Sequence, residues 1–187
     1  MDRKEFLQKT LMSSLGCCAW MTMDQNTSLS ADAGTEEQMK QLQYEKQFIE
    51  NWVTDLIETM EKELDEPTRI KLMAGCARGC HRRHKFTQDI VEAGKGNLDK
   101  LLEAYKKSFG IRREGDKVHI FYGRGPKGCW CPAAQDRPAH PKDLHCECTR
   151  GKHQHMFETA LGRPFKVEIV ETIRRGAKNC HFIVHLT

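Results

Sequence analysis

Apolar residues recur at three- and four-residue steps between Thr35 and Leu64, at Leu42, Ile49, Trp52, Val53, Leu56, Ile57, Met60 and Leu64. That period predicts an amphipathic helix with one buried stripe. Asp65 and Pro67 stop it and open a second helix, where Ile70, Met73, Ala77 and Cys80 keep helical spacing to about Val91. Gly94, Gly96 and Asn97 break the chain, and Leu98, Leu101, Leu102, Tyr105 and Phe109 predict a third helix. After Gly110 the period falls to two: Val118, Ile120 and Tyr122 alternate with Lys117, His119 and Phe121, as in a strand. A long Gly- and Pro-rich loop follows over residues 123–145, and a loop of that length is usually functional or pinned by something. A short helix is predicted over 150–161, with Met156, Phe157, Ala160 and Leu161 on one side. Phe165, Val167 and Ile169 then alternate as a strand, residues 174–179 turn around Gly176, and Cys180, Phe182, Val184 and Leu186 form the hairpin partner. Helices first and an antiparallel sheet later predict an α+β fold, N-terminal helices packed on the sheet, as a single domain over residues 37–187.

Composition narrows the classes. A chain of 187 residues, 39% hydrophobic and 30% charged, suits one globular domain. A mean hydropathy of -0.66 with no long apolar run excludes a polytopic membrane protein. Thirty basic against 26 acidic residues leave +4, too balanced to make nucleic acid the default partner. The first 23 residues read differently. A charged start is followed by the mostly apolar 11–23, the layout of a signal peptide. Asp2 to Lys9 resembles a twin-arginine export signal with Lys4 in place of the second arginine, and Leu15, Gly16, Cys17 and Cys18 resemble a lipoprotein cleavage box. The expectation is export to the cell envelope, with membrane contact only through the signal or a lipid anchor. Residues 24–36 are small and polar, as in a linker.

Seven of the nine cysteines lie beyond that segment: Cys76, Cys80, Cys129, Cys131, Cys146, Cys148 and Cys180. Cys76 and Cys80 are four apart in a predicted helix and share a face, with His84 one turn on. Cys129-Trp-Cys131-Pro and Cys146-Glu-Cys148 are two Cys-x-Cys pairs with 14 residues between them. In extended chain, residues two apart point the same way, so each pair could aim two thiolates at one point. Soft thiolates select zinc or an iron–sulfur cluster, and tetrahedral zinc needs only four. The candidate ligands are therefore Cys76, Cys80, Cys129, Cys131, Cys146 and Cys148, with the choice of four left open. Disulfides or a redox pair are the competing reading if the chain is exported, although seven thiols cannot all pair internally. Cys180 sits in the apolar set of the last strand and is expected in the core.

Gly123-Arg-Gly125-Pro-Lys-Gly128 matches a dinucleotide-loop pattern, but Cys-Trp-Cys-Pro follows it where that motif needs a helix. The basic run Arg78 to Lys85 beside the first two thiols suits an anionic ligand or a solvated face equally well. His153 and His155, near Cys146 and Cys148, could serve as alternate ligands or as a proton donor but are expected as exposed helix residues, and His119, His181 and His185 as the polar faces of strands.

Cys146-Glu-Cys148, Leu161-Gly-Arg-Pro164, Glu171-Thr-Ile173, Arg175-Gly176 and Cys180-His-Phe182 resemble the C-terminal half of the 4-vinyl reductase-like (hydrocarbon-binding) superfamily. Ile70 to Cys80 and Cys129-Trp-Cys131-Pro132 look like a cysteine-rich branch of it. The tail is also similar to 2-amino-thiazoline-4-carboxylate hydrolase-like proteins. The resemblance implies a small α+β domain enclosing a pocket for a small, apolar or anionic ligand beside a cysteine-bound metal, with a metal- or cysteine-dependent hydrolase or redox enzyme as the alternative.

Overall fold

The computed structural model describes residues 28–125, 128–134 and 137–187, with side chains from residue 35 onward. The signal-like residues 1–23 lie outside the described residues. Two compact units divide the chain at Met1–Gln43 and Tyr44–Thr187.

Helix α1 covers Ser28–Glu63, so most of the stretch expected as a linker is helical. Its apolar stripe is only partly covered. Ile57 is buried and Val53 and Met60 pack with it against Met73 and Leu144, whereas Leu42, Ile49, Trp52 and Leu56 are exposed. Helix α2, Glu66–Arg83, starts as predicted: the Asp65 carboxylate accepts from the Thr68 amide at 2.7 Å and Pro67 sits in the first turn. The second helix does not run on to Val91 in one piece. His84 takes an extended conformation (φ -110, ψ 103) that ends α2 and opens α3, Lys85–Ala93, and the Thr87 hydroxyl donates to the His84 carbonyl at 2.8 Å. Helix α4, Leu98–Lys106, is capped by Asn97.

Four strands follow: β1 Gly110–Glu114, β2 Lys117–Tyr122, β3 Lys166–Glu171 and β4 Cys180–His185. They form one antiparallel sheet in the order β1-β2-β4-β3. Strand β1 has no alternating pattern in Gly-Ile-Arg-Arg-Glu and escapes periodicity; only its turn with β2, through Gly115 at φ 59, reveals the hairpin. Val118, Ile120, Phe182, Val184 and Val167 point to the core, where they meet Leu101 and Tyr105 from α4 and Met156 and Phe157 from helix α5, His145–Leu161. His119, His181 and His185 fall on the other face, with His119 Nδ1 2.9 Å from His181 Nε2. The protein is α+β, as the pattern of periods predicts.

Helix α5, His145–Leu161, begins about one turn earlier than periodicity predicts and ends at Gly162 in the left-handed region (φ 69). It crosses α2 closely at Gly151: a Cβ there would stand 3.2 Å from the Ala74 Cα and 3.3 Å from the Ala77 Cβ. The loop before α5 is held by its own buried charges. Asp143, fully buried, accepts from Arg137, from Arg174 Nε at 2.6 Å and from the His145 amide at 2.9 Å. Arg174 also donates to the carbonyls of Ala134, Arg137 and Pro138. No described helix is long and apolar enough to cross a membrane.

Candidate metal centre

The early start of α5 changes what Cys146 and Cys148 can do. At 3.6 residues per turn, positions two apart differ by about 200° around the axis, so the thiols face opposite sides. The expectation of two thiols aimed at one point from extended chain does not hold for this pair. Cys146 is buried toward the sheet, its Sγ 3.0 Å from Thr172 Oγ1. Burial pushes its thiol up to about 11; the Thr172 hydrogen bond and Arg175 pull the other way, while Asp143 and Cys180 add to the rise. Cys180 is buried in the main core, where its own thiol is likewise raised by burial. Burial drives the Tyr122 hydroxyl well above its usual value, and Cys180, Cys129 and Cys146 reinforce this against a hydrogen bond from Thr149. Cys129 thus acts electrostatically on Tyr122, Cys180 and Cys131.

Cys148 turns the other way, toward α1 and α2, and packs against Ile57, Met73 and Leu144. Burial pushes its thiol up to about 12, and the thiols of Cys131, Cys76 and Cys80 add to the rise. Cys131 is raised by burial too, with Cys129 and Cys80 adding and the Ala133 amide and Lys152 opposing. Three segments therefore bring Cys76, Cys80, Cys131 and Cys148 to one neighbourhood: α2, the loop and the first turn of α5. The α2–α5 crossing at Gly151 positions the two helical parts, and His81 and His155 continue it as an edge-to-face ring pair at 5.0 Å. His84 flanks the group. Its Nδ1 lies 2.8 Å from the Cys80 carbonyl, which can only accept, so Nδ1 carries the proton, 3.5 Å from the Cys80 sulfur.

Among the described residues, Glu61, His140 and Asp143 are the set of three donors whose ligand atoms lie within 4.8 Å of one another. No three of the described thiols meet that spacing. The trio does not suit a cation, because its oxygens are already engaged. Glu61 Oε1 accepts from the Leu144 amide at 2.9 Å, His140 Nε2 lies 3.3 Å from Glu61 Oε2, and two buried guanidiniums hold Asp143. Cationic Arg137 and Arg174 beside that point repel a metal ion. The trio is an ion-pair node that ties α1 to the loop.

One histidine sits where its residue type does not predict. His153, expected on the surface, is fully buried, and neither ring nitrogen has a hydrogen-bond partner. Rings of Tyr105, Phe109, Tyr122 and Phe182 surround it at 5.4 to 6.0 Å between centroids. Burial holds its pKa well below the usual histidine range. His153 lies three, four and seven residues before Met156, Phe157 and Ala160, and that shared side of the predicted helix is the signal that could have placed it. Between α5 and the sheet, fully buried Tyr105, Phe157, Phe182, Leu101 and Ile120 fill the space in which the resemblance implies a ligand pocket. A cleft opens elsewhere, between α4 and β1, lined by Asp99, Leu102, Glu103, Lys106, Ile111 and Arg113.

The model of the Family of unknown function (DUF6144) matches residues 21–187, every described residue and every cysteine beyond the signal-like segment. The chain belongs to the DUF6144 family. No curated protein matches it. The α+β fold and the thiol arrangement described above are thus those of a DUF6144 chain, and the family description assigns them no chemistry.

Proposed function

We propose that this DUF6144 chain is a metal-binding domain in which Cys76, Cys80, Cys131 and Cys148 hold one zinc ion, or an iron–sulfur cluster, as thiolates. The observation that carries the reading is the convergence of four thiols from α2, the 123–145 loop and α5 on one neighbourhood, with Cys146 turned to the opposite side of its helix. Four soft donors from separate segments match a closed structural site, which leaves no open coordination position for a substrate. Bound metal would supply thiolate stabilisation and draw the sulfurs together, while α2 and α5 fix the direction of three of them. Lys152 opposes the rise in the Cys131 and Cys148 thiols and so favours their ionised forms. The reading includes export, supported by the layout of residues 1–23, of which the first 20 lie outside the family match.

Elemental analysis of the purified chain, with a thiol count before and after chelation, tests this. The expected result is one zinc, or an iron and sulfide content with visible absorbance, and four thiols that become reactive only after chelation. Metal-free protein with those four cysteines oxidised would sink it. N-terminal sequencing of the protein recovered from the cell envelope tests export.

A further inference from the structure

The uncovered part of the α1 stripe is a continuous ridge. Tyr44, Phe48, Trp52 and Leu56 follow at four-residue steps with 65, 60, 60 and 43% of their surface exposed, and Ile49 beside them is 60% exposed. Scattered apolar side chains are ordinary on a surface, but a contiguous patch of several hundred Å² marks an interaction site. Large aromatic side chains present 150–250 Å² each, so these five expose roughly 500–600 Å² together. Two such ridges facing each other would remove at most about 1,100 Å² from water, just above the roughly 1,000 Å² that a specific interface needs.

We propose that this ridge is a homodimer interface, in which α1 of two copies crosses antiparallel about a two-fold axis near Trp52. Rows of side chains four apart pack onto a copy of themselves at a crossing of about -50°. A two-fold interface must also be self-complementary, and this one is. With Trp52 on the axis, Phe48 of one copy meets Leu56 of the other. Between residues 46 and 58 no two like charges fall opposite each other in that register. Ile57, on the other side of α1, stays buried within its own copy, so dimerisation needs no rearrangement of the core. The inference is independent of the metal reading.

Sedimentation equilibrium on the full chain, across a hundredfold range of concentration, tests it. The expected mass is about twice 21.6 kDa for the wild type and 21.6 kDa for Trp52→Glu and Phe48→Glu, with unchanged far-UV circular dichroism and metal content. A wild-type monomer throughout overturns the proposal. So does a monomer whose Trp52→Phe variant loses a blue-shifted emission, because a segment of the same chain then covers the ridge. If the glutamate variants fail to fold, truncation decides: Trp52→Ala and Phe48→Ala should each weaken the dimer at least tenfold. A dimer indifferent to both changes, or one that survives both glutamate substitutions, overturns the interface.

Discussion

Arg174 Nε donates to Asp143 Oδ2 at 2.6 Å, and the same guanidinium donates to three carbonyls of the loop between β2 and α5. Both side chains are almost wholly inaccessible to solvent. Breaking a buried pair by removing one partner strands the other charge, which costs about 3–5 kcal/mol. Asp143→Asn should therefore lower stability by that amount, because Arg137 and Arg174 are both left without a counter-charge. Urea melts measure it. Arg174→Met should cost about as much and open the loop to proteases as well, since three carbonyl contacts disappear with it. A loss under 1 kcal/mol for both would mean that the loop is ordered by something else.

The opposed thiols of α5 make a paired prediction. Cys148→Ser should abolish stoichiometric metal and remove the stabilisation a structural zinc supplies, on the order of 10 kcal/mol. Cys146→Ser should retain the metal and cost about 1 kcal/mol through its contact with Thr172. Metal content by mass spectrometry beside thermal melting separates the two. Reversed results would move the site to the sheet side of the helix.

Acid should unfold the protein through its buried histidines. His153 is held well below the usual range by burial, and His145 is lowered to about 4, chiefly by burial, with Asp143 opposing and Arg137 and Arg174 adding. Both groups are charged more readily in the unfolded chain, whose histidines titrate near 6.5. The unfolded state therefore binds more protons below that pH, and stability falls as pH drops from about 6.5 toward 4, by about 1.4 kcal/mol per pH unit for each group. Above pH 7 neither contributes. His153→Phe should flatten the slope by one group's share and raise stability at neutral pH, because it removes two unpartnered ring nitrogens from an aromatic surround. Melts at pH 7 and pH 5 would show both effects, and an unchanged slope would show that His153 is not what titrates.

Gly151→Val should separate α2 from α5. Even a methyl there meets the Ala74 backbone at 3.2 Å, and the two further carbons of valine have no space to enter. Overpacking of this kind costs typically 1–3 kcal/mol. If the crossing positions the thiols, zinc affinity should fall together with stability. A chelator competition beside a urea melt checks this, and unchanged affinity would separate the crossing from the site.

How much of this was legible follows the strength of the local signals. Alternation in Val118-Ile120-Tyr122 and Phe182-Val184 marked the sheet, and Asp65-Glu66-Pro67 marked the start of α2 within one residue. The start of α5 carried no such mark. Leu144 offers no capping side chain, so Cys146-Glu-Cys148 looked extended and the two thiols were placed on one side. His153 was hidden by its residue type instead, since it shares the side of the predicted helix marked by Met156, Phe157 and Ala160. The α1 stripe was read correctly as apolar, but periodicity shows only which side of a helix is greasy and is silent on whether the same chain covers it. The Asp143 node was illegible because Arg137 and Arg174 reach it across 6 and 31 residues of sequence.

Strand order has a bearing on how these thiols are handled during synthesis. β4 lies inside the sheet, paired with β2 on one side and β3 on the other, although it is the last strand to be made. The sheet therefore cannot close until Cys180–His185 has left the ribosome, and nearly the whole chain must wait, with long-range pairings that form slowly. The four grouped thiols need none of it: Cys76, Cys80, Cys131 and Cys148 are carried by α2, the loop and the first turn of α5, all made before β3, so they can be enclosed while the sheet is still open. Only Cys146 and Cys180, which face the sheet, wait for the last strand.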